Sequence, residues 1–590
     1  MNDLYIDTDS EVETVSVPVL VIGAGAAGAR AAIGMKKNGV TPLVVSKRDH
    51  GDAHTTWARG GINAALGNRD GEDSWEIHGA DTLDEGHFIN NPEAVEAVTK
   101  NMPEVAQELH EWGMDFTETD DGELEQRYFG AQSYRRTCFA GDYTGEALLN
   151  TLVDKAQELE IPYRDNLFVT EILSDGDTVY GAVGYDIEDE EFIVLRSNRV
   201  VLAAGGHTSV YDRHSSRDDE NTGDGVGLAY RAGAELMDME FVQFHPTGMV
   251  GKRYGEEWDG RLVTEAVRGE GGRLYNSEGE RFMEKYSPKQ MELDARDIVA
   301  RAIEQEVREG RGTENGGVYL DVSHRDEDFI KERLPRMYER FQSLDVNISE
   351  ESMEVAPTAH YAMGGVDFNP QTGETVVDGF HVIGETTAGV HGANRLGGNS
   401  LAETVSIGKL VGHHLAELNP STPSSIPDVA VEMVDEEFER LGTMLEQDGE
   451  YSVEELVERV RGLMEEHAGI RRNEKRIEEG LEKLREVKND YREVACEGDM
   501  NSLEFEMMNN IRFMLTAAES TLRGSRERTE SRGAHYRTDY TDKDASHRHN
   551  LMYYREDGEM KIRRRDVSQP SEAVQRAVDE EHELDYHHLE

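Results

Sequence analysis

Only two cysteines, Cys138 and Cys496, occur in 590 residues. Two thiols cannot build a disulfide framework, and they fall short of the roughly four ligands an iron–sulfur cluster takes. No C-x-x-C-H motif for haem is present, and both thiols read as ordinary buried side chains. No run of 18 or more apolar residues occurs, so no membrane-spanning helix is expected. The N-terminus, MNDLYIDTDSEVETVS, is acidic and has neither a basic n-region nor twin arginines, so no export signal is read there. The expected location is cytoplasmic unless a partner tethers the chain. Lysine is scarce as well: 15 of the 62 basic residues, against 120 acidic ones and a net charge of −58. A surface of that sign repels nucleic acid and anionic headgroups, which argues against an RNA-modifying role. Such an excess of acid reads as adaptation to high salt, where screening removes most of the self-repulsion; the alternative reading is an ordinary acidic cytosolic protein.

Apolar residues make up 37%, below the usual share, but they are periodic and spread along the chain, as in a folded protein. The length exceeds one hydrophobic core and implies roughly two to four domains. Glycine is abundant at 58 residues, which suits close approach of backbone to a ligand. The apolar run Val17–Ile22 predicts a buried parallel strand. It leads into Gly23-Ala24-Gly25-Ala26-Ala27-Gly28 and an alanine-rich helix to about Asn38, and a second strand follows at Pro42–Val45. Strand, glycine turn, helix and strand in that order are the context that makes G-x-G-x-x-G a dinucleotide site, with the pyrophosphate on the helix N-terminus. The second strand ends in Ser46-Lys47 instead of the acidic residue that often binds a ribose, which weakens any case for NAD. A third strand, Arg199–Ala204, ends in Gly205-Gly206, and Asp224 opens a helix in another glycine-rich turn. More polar sequence fills about 249–354, then glycine-rich sequence returns at His360–Gly365 and Gly384–Leu401. The nucleotide domain is therefore read as interrupted and resumed. Pro420–Pro427 is a linker, 428–525 is helical by pattern, and the tail histidines His582, His587 and His588 are read as solvated.

Nine motifs in a consistent order, "GAGAAG", "HTTWARGG", "NTGDG", "MEFVQFHPTG", "TEAVRGEGG", "ARDIVARA", "TAHYAMGG", "GVHGANRLGGNSL" and "SRGAHYRTDY", make the chain resemble the flavoprotein subunits of succinate dehydrogenase and fumarate reductase from about Pro18 to Asp544. The resemblance implies an α/β fold: a Rossmann-like FAD-binding domain (1–247 and 355–420) interrupted by an α+β capping domain (248–354), then a helical domain (421–525) and a C-terminal domain (526–590). It implies FAD held by Gly23 to Gly28, Ser46, Lys47, Thr55, Gly60, Gly61, Asp224, Glu385, Ser400 and Leu401. His54 would be bonded to the flavin's 8α-methyl carbon. For a four-carbon diacid, succinate or fumarate, it implies a clamp of His245, Thr264, His360 and Arg395. Arg296 would move the proton, with Glu265 and Arg268 as its relay. No metal site is implied. An iron–sulfur partner subunit, docked on membrane anchor subunits, would take the electrons. Ala53 stands where a serine is common and Arg59 where a glutamine is usual. Arg59, if turned inward, would favour reduced, anionic flavin. The alternatives are L-aspartate oxidase, a close cousin that usually has serine at the position of His54, a soluble reductase of fumarate-like acids, and a flavin-binding protein without turnover.

Taken singly, several of these residues have plainer roles. Arg296 would make a surface ion pair with Asp294 or Asp297, His245 would close a turn before Pro246, and His360 would pack in the interior. Asp224 would cap a helix, and Glu385 would sit at a helix start.

Overall fold

The computed structural model describes residues 5–7 and 12–580; the three tail histidines lie outside these residues. The fold is organised around a five-stranded parallel sheet in the order Phe380–Val382, Val200–Leu202, Leu20–Ile22, Leu43–Val45 and Tyr163–Arg164. Its central three strands pair in flush register, Leu20 between Val200 and Leu43. All three are fully buried, as parallel strands with covered faces must be. Chain order reverses on either side of Leu20–Ile22, so the crevice beyond its carboxyl end is a topological switch point.

The strand expected over Val17–Ile22 is confined to Leu20–Ile22, and an unanticipated strand just before that run, Glu13–Ser16, belongs to a separate five-stranded sheet. Pro18 has no N–H to continue a ladder, and the chain changes sheets at that residue. The helix Ala26–Lys37 packs against the later helix Asn399–Leu418. Their contact is so close that a Cβ on Gly412 would lie 2.4 Å from the Ala31 carbonyl oxygen. This pairing rejoins the two halves of the nucleotide unit across nearly four hundred residues of sequence.

Between them lies the insert. Its antiparallel sheet runs Val242–Met249, Met353–Ala362, Val318–Asp321, Arg273–Tyr275. The first two strands leave and re-enter the nucleotide unit, so they act as the struts on which the insert is carried. An apolar cluster made wholly of residues from Met249 to Val355, including Leu274, Phe341 and Met353, gives the insert its own core. Each fully buried Leu, Phe or Met there contributes about 1.5–3 kcal/mol. The insert docks by a helix cap supplied in trans: the two Asp142 carboxylate oxygens accept the main-chain N–H groups of Arg336 (3.0 Å) and Met337 (2.8 Å) at the start of the helix Pro335–Ser343.

Beyond the linker come the helices Asp428–Glu446, Val453–Ala468, Glu474–Asp490 and Leu503–Glu527. The C-terminal hairpin His549–Glu556/Glu559–Asp566 is not free-standing. It pairs with Leu236–Met237 of the nucleotide unit. Among the described residues, no helix is long and apolar enough to cross a membrane.

Candidate active site

A cleft of 1570 Å³, counting its open mouth, runs from the Gly23–Ala27 turn past Ser46, Lys47, His54, Thr55 and Asp224 to Glu385, Ser400 and Leu401. A Cβ on Gly23 would lie 2.2 Å from the Ala203 carbonyl oxygen, and one on Gly28 would lie 2.0 Å from Gly23 O. The backbone is thereby brought flush to the first turn of the helix Ala26–Lys37, whose N-cap is Gly25 with no side-chain cap. A helix start at a switch point, with no cap from its own N-cap residue, fits a pyrophosphate. Lys47 Nζ donates to Asp224 Oδ2 (2.9 Å) and to Asp219 O (2.7 Å), joining the second strand to the helix Asp224–Arg231. Thr55 Oγ1 accepts from Ala26 N–H at 3.2 Å, which fastens the His54–Trp57 turn to the helix start. His54 opens that turn and lines the cleft, with Nδ1 3.8 Å from Glu220 Oε2. Glu385 Oε1 accepts from Ala362 N–H (3.0 Å), and burial pushes its carboxyl up to about 7. These residues fit FAD.

Gly60 and Gly61 do not line the cleft. A Cβ on Gly60 would strike the Phe129 ring and one on Gly61 would strike Thr137, so their need for glycine comes from packing beside the cleft. Arg59 does turn inward. It lines the cleft, 4.0 Å from Glu146, and burial lowers its guanidinium from the ordinary value.

Beside His360, which lines the cleft, stands a buried cluster of cationic and imidazole side chains. Arg296, the first residue of the helix Arg296–Arg308, is 7% exposed, so it is not the surface ion pair that its acidic neighbours allow. Its Nε and Nη2 donate to Glu265 Oε2 at 2.8 and 2.5 Å. Asp297 is instead paired with Arg301 at 2.7 Å. Glu265 Oε1 accepts from Gly130 N–H (2.8 Å), and Arg268 Nη2 stands 3.7 Å from Glu265 Oε2. Burial alone would raise the Glu265 carboxyl, but Arg296 and Arg268 outweigh it and hold it down to about 2. The carboxylate therefore stays ionised between two guanidiniums.

Arg395 is also buried, with its guanidinium 4.5 Å above the Tyr361 ring and its Nε without a hydrogen-bond partner among the described residues. Burial first, and Arg296 second, push it down to about 9. Its charge is thus destabilised until an anion enters.

His245 does close a turn: Nδ1 accepts the Thr247 N–H at 3.2 Å. That bond decides the tautomer, because an accepting Nδ1 leaves the proton of a neutral ring on Nε2. Burial, then Arg296, Arg268 and Arg395, hold the ring neutral by pushing its pKa well below the usual value. Nε2–H is buried with no partner among the described residues, a deficit of about 1–3 kcal/mol that an incoming acceptor would remove. The His360 ring lies 5.2 Å from that of His245 and edge-on to it, with Nδ1 2.8 Å from Ser215 Oγ. Thr264 is buried next to Glu265, its Oγ1 accepting from Ala266 N–H at 3.3 Å.

Sequence reasoning did not single out Ser215, Gly130, Gln243 or Asn394. The last two lie inside the quoted motifs, two residues before His245 and one before Arg395, but nothing in their residue type marked them.

Residues 18–401 match the FAD binding domain family and residues 457–578 match the fumarate reductase flavoprotein C-terminal family. The chain is 41% identical over 533 residues to one of the subunits of the CoM/CoB fumarate reductase of Methanothermobacter marburgensis, covering 90% of this chain and 95% of that one. It is 36% identical to the succinate dehydrogenase flavoprotein subunit of Rickettsia bellii, covering 89% and 90%. Among solved structures it superposes on E. coli quinol fumarate reductase FrdA with a TM-score of 0.87 at 32% identity, covering 94% of this chain and 98% of that one. On Mycobacterium smegmatis Sdh1 the TM-score is 0.81 at 38% identity, covering 94% and 95%. With the glycine turn at the switch point and the buried cationic cluster beside the cleft, these matches show that the chain is an FAD-binding flavoprotein and belongs to the family of succinate dehydrogenase and fumarate reductase flavoprotein subunits.

Proposed function

We propose that this chain interconverts succinate and fumarate and passes electrons to an iron–sulfur partner subunit. The observation that carries the reading is the Glu265 carboxylate shared by Arg296 and Arg268, in the same buried cluster as Arg395, whose Nε has no partner among the described residues. A small diacid needs positive or donating groups at both ends. Arg395 would grip one carboxylate with two parallel N–H bonds, while His245 Nε2–H, His360 and Thr264 would donate to the carboxylates. Bound FAD would supply hydride acceptance or donation.

The proton is left to the protein. Arg296 would exchange it with the substrate carbon, and Glu265 and Arg268 would pass it on. A guanidinium is a poor acid on its own. Here the carboxylate on its far side favours return of the proton from the relay, and burial keeps water from competing. His54 would tether the flavin covalently. Within the described residues no helix can span a bilayer, so membrane association would come through anchor subunits.

The test is substrate specificity in the FAD-loaded protein. Succinate-dependent dye reduction and fumarate-dependent reoxidation should both occur, and Arg296→Lys should abolish both. Aspartate-dependent peroxide without succinate turnover would overturn the reading in favour of an aspartate oxidase. Flavin binding without any turnover would leave a binding protein.

A further inference from the structure

Two buried amides, Gln243 and Asn394, tie the first turn of the insert's helix to the nucleotide unit. Gln243 sits on the strut Val242–Met249, and Asn394 directly precedes Arg395. Both are buried. Arg296 Nη1 donates to Gln243 Oε1 at 2.9 Å. Gln243 Nε2 donates to Asn394 Oδ1 at 2.8 Å and to the Arg395 carbonyl oxygen at 2.9 Å. Asn394 Nδ2 donates in turn to Asp297 Oδ1 at 2.9 Å and to Glu85 Oε1 at 2.6 Å. Each amide uses both its ends, so neither can flip without setting donor against donor or oxygen against carboxylate.

Arg296 and Asp297 are neighbours in sequence. The chain of bonds therefore leaves the helix from its cation and returns to its anion, closing a ring through four side chains and one peptide. The amide dipoles run head to tail from the positive to the negative member, so each bond strengthens the next. The ring also carries the main chain of Arg395. It fixes the separation of two guanidiniums that repel each other, one from the insert and one from the nucleotide unit.

We infer that Gln243 and Asn394 are positioning residues: a clamp that, by tying the insert's helix to the nucleotide unit, holds the Arg296 guanidinium at a fixed place relative to Arg395. This rests on the reading of Arg296 as the proton-transfer group.

The test uses the FAD-loaded protein. Asn394→Asp keeps size and shape but turns an oxygen toward Asp297 and Glu85. We expect kcat for succinate to fall about 10- to 100-fold, the cost of an angstrom-scale misplacement. KM should stay within about threefold, since the diacid-gripping groups are unchanged. Adding Glu85→Gln supplies an amide N–H facing the new carboxylate and should recover most of kcat. Limited proteolysis without any diacid reads the clamp independently of turnover, and the insert should be cut several-fold faster in Asn394→Asp than in the parent. If Asn394→Asp fails to hold flavin, Gln243→Glu serves in its place: it keeps the acceptor for Arg296 and loses the donors to Asn394 and Arg395. Unchanged kcat with unchanged proteolysis in a folded variant overturns the clamp, as does a change confined to KM or a double variant that recovers nothing. Were the parent protein inactive on succinate and fumarate, the functional reading would fail while proteolysis still judged the clamp.

Discussion

Glu265→Gln is the sharpest single perturbation of the proposed relay. The native carboxylate is held at about 2 instead of its ordinary value near 4.5. That difference makes its ionised form worth of order 3 kcal/mol more in the folded protein than in the unfolded chain. The sign follows: a carboxyl whose pKa is lowered by folding contributes stability at pH above its ordinary value and loses it as pH falls through about 2. Glutamine is neutral, so it forfeits this contribution at every pH above 4.5 while keeping an oxygen for the Gly130 N–H. It also leaves two buried guanidiniums, Arg296 and Arg268, without their shared anion. Denaturant unfolding at pH 7 should show a loss of order 3 kcal/mol, shrinking as pH drops below about 4. In dye-coupled turnover of the FAD-loaded variant, kcat should fall about 10²–10⁴-fold, the usual worth of positioned proton transfer. KM for succinate should move less than about threefold, because Arg395, His245, His360 and Thr264 are untouched. A correctly folded, flavin-loaded Glu265→Gln variant with kcat within about threefold of the parent would refute the relay.

Other expectations follow from the same geometry. Gly23→Ala places a methyl 2.2 Å from the Ala203 carbonyl oxygen, and the purified variant should carry no FAD absorbance; a yellow variant would show that the turn yields. His54→Ser should bind FAD yet release it on acid denaturation, whereas the parent should keep yellow colour in the precipitated polypeptide; release from both would remove the covalent link. With a net charge of −58, the thermal midpoint should rise between about 0.1 and 2 M KCl as self-repulsion is screened. A midpoint that falls or stays level would contradict the high-salt reading.

The parts of the fold legible in the sequence are those dictated by local chemistry. Gly23 and Gly28 announce strand, turn and helix because no Cβ fits at either, and the Pro420–Pro427 break separates two helical regions. Val17–Ile22 overstates the strand because apolar character does not say where ladder pairing begins; Pro18 lies between the strand Glu13–Ser16 of one sheet and Leu20–Ile22 of the other, and only long-range pairing shows it. Arg296, flanked by aspartates, is locally indistinguishable from a surface ion pair. Its burial comes from Glu265, Gly130 and Gln243, more than thirty residues away in sequence. The tautomer of His245 depends on one bond to Thr247 N–H, and the roles of Gln243 and Asn394 on a ring that crosses from one unit to the other. None of these leaves a periodicity or a spacing to read. Resemblance finds the proposed site residues by motif, whereas the amides inside the same motifs stay silent until their partners are in place.

The claim on which the account turns is that the buried cluster containing Arg296 and Arg395 binds a four-carbon diacid for reaction. Anaerobic addition of succinate to the purified, FAD-loaded chain, followed by flavin absorbance, tests it most directly. The account predicts bleaching with succinate, recovery of colour with fumarate, and neither with L-aspartate. Flavin that stays oxidised with succinate, or that bleaches with L-aspartate instead, would contradict it.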